Sequence, residues 1–242
     1  MRKLLEWLGF RQHQLITDNR RFFKSFDKNR PFEDYDYVVL DTELTSLNPK
    51  NGEVVSIGAV RIRGLRLLIG GSFFCYARPE KPLPKDSTMI HRITPQQIEN
   101  APNLEDVLPD FINYCHGAVL VGHFLKIDMT FLGKAFRKHF GGTLGNVWLD
   151  TLKLAQSLEE YRRRHRYSDD PIENSFNLNK LAVKYNLPLF EKHDALEDAI
   201  QTAYLFIYLC HKLKKAGCVT LGDLIVSQSN AVLPSDQGYS TA

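Results

Sequence analysis

Residues 37–47, YVVLDTELTSL, carry an apolar run straight into Asp41 and Glu43, two carboxylates one residue apart. On a β-strand such positions share a face with Cα atoms roughly 7 Å apart, so the pair projects together at the strand's end. Burying two like charges side by side costs several kcal/mol without compensation, so the pair calls for water or a cation. Taken alone it fits a solvated strand end as well as a cation site. A second stretch, VLVGHFLKIDMTFL, brings Asp128 to the start of a helix after another apolar run. Taken alone, Asp128 fits an N-cap favoured by the helix dipole, and His123 fits a loop hydrogen-bonder. In a third, EKHDALEDAIQTA, Asp194 and Glu197 have capping-box spacing, which predicts Asp194 as N-cap, His193 just outside the helix and Asp198 in its first turns. Small Ala195 and Ala199 let this end pack closely against a sheet. Singly, His193 fits a solvated loop residue and Asp198 a surface charge.

The three stretches share one context. Asp41, Glu43 and Asp128 each follow an apolar strand, Asp198 lies near the start of an apolar helix, and in open α/β sheets functional clefts form outside the strand ends. Four carboxylates gathered there carry about −4 and repel phosphate until divalent cations enter; two Mg²⁺ or Mn²⁺ neutralise them. That is the electrostatic setting of two-metal phosphoryl chemistry.

The elements that must position these residues follow from the chain around them. YVVLDTE, GEVVSIGAVRI after the turn signal Asn51-Gly52, and RLLIGGSFFCYA after Gly64 read as a three-stranded antiparallel meander. Thr94-Pro95-Gln96-Gln97 marks a short capped helix, and the apolar spacing from Leu104 to Cys115 marks another, with Pro109 a candidate kink. AVLVGH and NVWL then read as strands, alternating with helices over DMTFLGKAFRKHF, DTLKLAQSLEEYRRRHR (capped by Asp150), LNKLAVKYN and ALEDAIQTAYLFIYLCHKLKK. The expected fold is α/β: a mixed sheet of an antiparallel three-strand meander plus parallel strands, flanked by helices on both faces.

With 242 residues, 43% of them hydrophobic, the chain suits one domain with extensions: a basic, helical N-terminal extension over 1–35, the main domain over 36–214 and a partly disordered tail over 215–242. Residues 1–30 hold eight Lys/Arg against three Asp/Glu, and Leu4, Leu5, Trp7 and Leu8 fall at helical spacing, which suits a solvated helix on the main domain or a partner-contacting one. A net charge of +3 permits a polyanionic partner without requiring one. Cys75, Cys115, Cys210 and Cys218 have neither zinc-site nor disulfide-scaffold spacing, which points to a reducing, cytoplasmic setting. The N-terminus lacks the apolar length and cleavage site of a signal peptide, and no apolar run approaches the ~20 residues of a membrane span.

Over residues 36–212 the sequence resembles the DEDDh 3′-to-5′ exonucleases, the family of the proofreading epsilon subunit of bacterial DNA polymerase III, RNase T and oligoribonuclease. VVLDTELTSLNP looks like the family's Asp-x-Glu motif, VSIGAVRI like its second strand, MIHRITPQQIENAP like its His-x-Ile-Thr segment and HDALEDAIQTA like its His-x-Ala-x-x-Asp-Ala motif. The resemblance implies an RNase H-like fold, two divalent cations (Mg²⁺ or Mn²⁺) held by Asp41, Glu43, Asp128 and Asp198, and His193 as general base. Leu44 and Thr45 fall where the family meets the 3′-terminal nucleotide. The chain departs from the family at His123-Phe124-Leu125-Lys126-Ile127-Asp128, where an amide and an aromatic are replaced. Arg92 stands in place of a common glycine and Ser56 in place of a common glutamate; neither is expected to touch the chemistry.

The implied activity is metal-dependent hydrolysis of the terminal phosphodiester at a nucleic-acid 3′ end, releasing 5′-mononucleotides, with DNA favoured over RNA. An RNA-processing exoribonuclease, and a non-catalytic module that binds nucleic acid or docks on a polymerase, are the alternatives. The N-terminal extension is a candidate docking element for a polymerase or other protein. The basic stretch 162–166, RRRHR, suits a nucleic-acid guide or a solvated helix end.

Overall fold

The computed structural model describes residues 13–68, 70–165, 175–190 and 193–230. Its centre is β1 (Asp36–Leu44), whose apolar run is buried on both faces. Strand β2 (Val54–Arg63) pairs antiparallel with it, setting Asp41 opposite Gly58 and Glu43 opposite Ser56. On the outer side of β2 lie β3 (Arg66–Leu67) and β4 (Phe73–Tyr76), both antiparallel. The expected third strand is therefore two short ones. Gly70 adopts φ +83°, a left-handed turn open to glycine, and parts them. On the other side of β1, β5 (Val119–Gly122) and β6 (Trp148–Asp150) continue the sheet in parallel, giving the order β3-β2-β1-β5-β6 with β4 beside β2.

Helix α1 (Gln14–Lys24) precedes β1, followed by a 3₁₀ turn at Phe32–Asp34. Helices α2 (Lys85–His91), α3 (Pro95–Ile98) and α4 (Leu104–Tyr114) separate β4 from β5. The Thr94 capping box forms, and Pro109 sits inside α4. After β5 comes α5 (Lys126–Phe140), and after β6 come α6 (Thr151–Arg164), α7 (Leu178–Lys184), α8 (Ala195–Lys215) and α9 (Leu221–Asn230).

Alternation along β1 divides the interior. Tyr37 and Val39 join one core with α6 and α8, through Leu154, Leu205, Phe206 and Leu209. Val38 and Leu40 join the other with α4 and α5, through Leu108, Phe111, Leu132 and Phe136. Side chains at successive positions at the end of β1 therefore meet α8 and α5 in turn.

The boundaries at 35 and 215 do not mark breaks in packing. Ile16 is buried in the α5 core, and Asn19 Nδ2 donates to Asn146 Oδ1 at 2.7 Å. Phe32, Leu221 and Leu224 are buried in the α8 core, and Arg30 O accepts from Leu221 N–H at 3.2 Å. Both segments supply apolar surface that the sheet needs covered. The amphipathic spacing at Leu4–Leu8 and the polar end 231–242 lie outside the described residues. Among the described residues no helix is long and apolar enough to cross a membrane.

Candidate active site

Three elements bring the acids together. The end of β1 supplies Asp41 and Glu43 on the α8 side of the sheet; Glu43 is only 9% exposed. The start of α8 supplies Asp198. Its N-cap is Asp194, whose Oδ1 accepts from Leu196 N–H at 2.9 Å and Glu197 N–H at 3.1 Å. The helix can come this close because residue 58 is glycine: a Cβ there would lie 2.2 Å from the carbonyl carbon of Ala195. His193, just before the cap, has φ +65°, a region that β-carbon sterics disfavour, and its backbone N–H donates to Asp198 Oδ2 at 3.1 Å.

Asp128 arrives from the opposite face. Helix α5 begins at Lys126, so Asp128 sits inside the first turn and is not the cap that its position after the Gly-His turn suggests. Its Oδ1 accepts from Thr42 Oγ1 at 2.6 Å and from Thr42 N–H at 3.0 Å. Thr42 had no expected role; its place between the two β1 acids is what makes it reach the α5 side.

Electrostatics tie the four acids into one cluster. Packing around the strand end, then the charges of Asp128, Asp198, Glu43 and Asp194, push the Asp41 carboxyl well above its ordinary range. Burial, then Asp198, Asp128 and Asp194, push Glu43 up to about 8. Burial carries Asp128 up to about 7 against the opposing pull of Thr42. Asp198 is raised by burial, and the His193 N–H offsets part of it. A cluster that resists its own ionisation suits positive charge, and hard carboxylate oxygens suit Mg²⁺ or Mn²⁺. Glu43, His193 and Asp198 offer ligand atoms within 4.8 Å of one another; Asp41 and Asp128 are outside that trio but close enough for the charges of Asp128, Asp198 and Glu43 to raise Asp41.

A cleft of about 130 Å³ opens beside Glu43 and His193, walled by Ser56, His91, Arg92 and Asp194. The two departures at Ser56 and Arg92, expected to lie clear of the chemistry, therefore border it, because β2 register sets Ser56 against Glu43 and α2 ends over the cleft. His91 is buried there: Nδ1 accepts from Ile93 N–H at 3.0 Å, and Nε2 has no hydrogen-bond partner among the described residues. MIHRIT was the available signal, but only the fold shows what it faces.

The remaining candidates are placed as follows. Leu44 packs at the edge of the α5 core, and Thr45 is buried, its N–H donating to Glu53 O at 2.9 Å and its Oγ1 accepting from Glu53 N–H at 3.0 Å. His123 is a packing residue: Nε2 lies 2.8 Å from Phe176 O, Nδ1 lies 2.8 Å from Thr151 Oγ1, and burial lowers its pKa to about 4. Arg162 pairs with Glu159, and Arg163 and Arg164 share Glu160, so each of these three arginines of RRRHR has a carboxylate partner on its own helix; Arg166 lies outside the described residues.

A mixed sheet with an acidic cleft at the end of its central strand has the RNase H-like architecture. The sequence profile of the exonuclease family that includes RNase T matches residues 38–206, and the chain belongs to that family. Among curated relatives, it is 35% identical over 198 residues to a DNA polymerase III PolC-type of Caldanaerobacter subterraneus subsp. tengcongensis, covering 82% of this chain and 13% of the relative. It is 32% identical over 196 residues to a DNA polymerase III subunit epsilon-like protein of Rhodobacter capsulatus, covering 81% and 26% respectively. The chain thus spans a small part of the relatives it matches. Similar folds include exonuclease X in complex with 5′-overhanging duplex DNA (TM-score 0.56, 22% identity, 79% of this chain and 99% of that one). Another is E. coli exonuclease I in complex with a dT13 oligonucleotide (TM-score 0.63, 16% identity, 75% and 42%).

Proposed function

We propose that this exonuclease-family protein is a 3′-to-5′ exonuclease that hydrolyses the terminal phosphodiester of a nucleic-acid strand and releases 5′-mononucleotides, with DNA preferred. The observation that carries the reading is the convergence of Asp41, Glu43, Asp128 and Asp198 with His193 at one strand end. The DNA preference is supported by relatives named as DNA polymerase III proteins.

Asp41, Glu43, Asp128 and Asp198 would hold two divalent cations. When bound, such ions neutralise the site and stabilise charge on the attacking and leaving oxygens. The chain's own residues supply the rest. His193, exposed beside Glu43 and Asp198, accepts the proton of the attacking water. Asp198 holds His193 at its unusual backbone angle, and Thr42 fixes which oxygen of Asp128 is left to the site. Leu44 and Thr45 directly follow Glu43 and are assigned to the terminal nucleotide on the family resemblance; their side chains pack inward, Thr45 held by its bonds to Glu53, so the assigned contact falls to the strand end they shape.

The test is digestion of 3′-labelled and 5′-labelled DNA and RNA strands with Mg²⁺, Mn²⁺ or EDTA. Mononucleotide should leave the 3′ end only, only with metal, and faster from DNA. Faster release from RNA would move the assignment to an exoribonuclease, and no release from either would favour a binding module. An Asp41→Ala protein that still digests with normal metal dependence would sink the site.

A further inference from the structure

We infer that a basic groove along α5 is the path of the nucleic-acid strand 5′ of the scissile bond, so that a 3′ end carried on a longer strand is bound better than a short one. The inference rests on the exonuclease reading above and extends it to a surface outside the acidic site.

Helix α5 holds Asp128 in its first turn and then runs away from the site. Lys126, Thr130, Lys134 and Lys138 follow at four-residue intervals, which places them on one face. At 1.5 Å per residue, Lys126 to Lys138 spans about 18 Å, the reach of a few backbone phosphates. All three lysines are exposed.

Two clefts lie against that face. The nearer, about 350 Å³, is floored by Leu47, Pro49, Phe124 and Ile127 and rimmed by Lys126 and Lys153. It begins beside the acids, since Lys126 and Ile127 of its lining stand with Asp128 in the first turn of α5. Leu47 is 72% exposed and Phe124 45% exposed, and Phe124 is held at φ +58° with its N–H donating to Asp150 Oδ1 at 3.1 Å. An aromatic fixed in a disfavoured conformation and left open to solvent offers a stacking face for unpaired bases, with lysines at hand for phosphates. The farther cleft, about 770 Å³, is lined by Lys50, Arg78, Lys81, Lys134 and Lys138. Phe131 lines both, and Pro49 of the first is followed by Lys50 of the second, so they form one groove.

The groove holds more cations than carboxylates: Lys50, Arg78, Lys81, Lys126, Lys134, Lys138 and Lys153 against Glu53, Glu80, Glu105 and Asp150. Of these carboxylates, Glu80 pairs with Lys138 and Glu105 with His139. Lys50 and Lys134 have no carboxylate partner within salt-bridge reach among the described residues; Lys134 Nζ only approaches the Lys50 carbonyl, at 3.5 Å. Arg162, Arg163 and Arg164 on α6, by contrast, each have Glu159 or Glu160 within salt-bridge reach. An excess of cations, Lys50 and Lys134 among them without a carboxylate partner, leading to a site that accepts phosphate only with metal fits a polyanion whose end must reach the acids.

The experiment compares wild type with a Lys50→Glu/Lys134→Glu double variant on DNA strands from a dinucleotide to a 12-mer, and measures binding of labelled dT12 by fluorescence anisotropy in EDTA. Wild-type KM should fall with length and then level. The variant should bind dT12 about tenfold more weakly, with the loss in KM for the 12-mer, and its salt dependence should flatten by about 1.4 in log–log slope, two contacts at roughly 0.7 each. An Arg163→Ala variant should match wild type in every measurement. Unchanged dT12 affinity and salt slope in the double variant would overturn the groove. Failure of wild type to release mononucleotide from any strand would instead overturn the exonuclease reading, and anisotropy would still decide on the groove.

Discussion

Thr42 and Asp128 are linked across β1: the Thr42 hydroxyl and amide both donate to the same oxygen of Asp128, at 2.6 and 3.0 Å. Donors to a carboxylate stabilise its charged form, and here they oppose the burial that carries Asp128 to about 7. Thr42→Val keeps the shape and removes the hydroxyl. Asp128 should then ionise only at higher pH, and turnover near neutral pH should fall about tenfold, a charge-assisted hydrogen bond being worth roughly 1.5–3 kcal/mol. A pH–rate profile checks it: the rising limb should move to higher pH in the variant, and an unmoved limb would mean that Thr42 does not tune Asp128.

Removing divalent ions should expose the strain among the acids. The folded carboxyls of Glu43 and Asp128 stand at about 8 and about 7, above the ordinary values of 4.5 and 3.8. Between those limits the unfolded chain has released protons that the native protein retains, so stability must fall as pH rises. In EDTA, Tm should drop from pH 6 to pH 8, and excess Mg²⁺ or Mn²⁺ should restore it more at pH 8 than at pH 6, because cations there displace fewer protons. Thermal melts across this range with and without metal decide it.

Much of this was legible in the sequence, for identifiable reasons. β1, β2 and the N-cap of α8 depend on neighbours in the chain, and Asp194 caps where its spacing from Glu197 says it should. The misread segments are those where distant contacts decide. Asp128 resembles a cap locally, but α5 starts two residues earlier and hands its carboxylate to Thr42, 86 positions away. Ser56, His91 and Arg92 meet Glu43 and His193 only because β2 register and the end of α2 bring them there. RRRHR reads as either a nucleic-acid guide or a solvated helix end, and the pairing of Arg162 with Glu159 and of Arg163 and Arg164 with Glu160 is visible only in the fold.

His193 is close enough to Glu43 and Asp198 to serve as a base or as a ligand, and one pair of variants separates the roles. As a base, His193→Ala should cost about 10²–10⁴ in turnover yet keep the metal-induced rise in Tm. Asp198→Asn should lose both. If His193→Ala also loses the thermal shift, the histidine belongs to the cation-binding set and another group must take the proton.

The positions of His193 and Asp198 depend in turn on a residue with no side chain. A Cβ at position 58 would fall 2.2 Å from Ala195 C, 2.3 Å from Ala195 O and 2.3 Å from Leu196 N, all backbone atoms of the turn that sets both groups. Backbone cannot step aside as a flexible side chain can, so Gly58→Ala should lift the start of α8 off β2. Overpacking of this kind costs about 1–3 kcal/mol, which in a chain of this size lowers Tm by roughly 2–4 °C per kcal/mol. Turnover should fall further than stability, because Asp198 would leave Asp41 and Glu43 while the two cores stay closed. Gly71→Ala, where an added Cβ meets nothing within 4 Å, is the matched control and should leave both quantities unchanged. Equal behaviour of the two variants would mean that the close approach at Gly58 does not position the site.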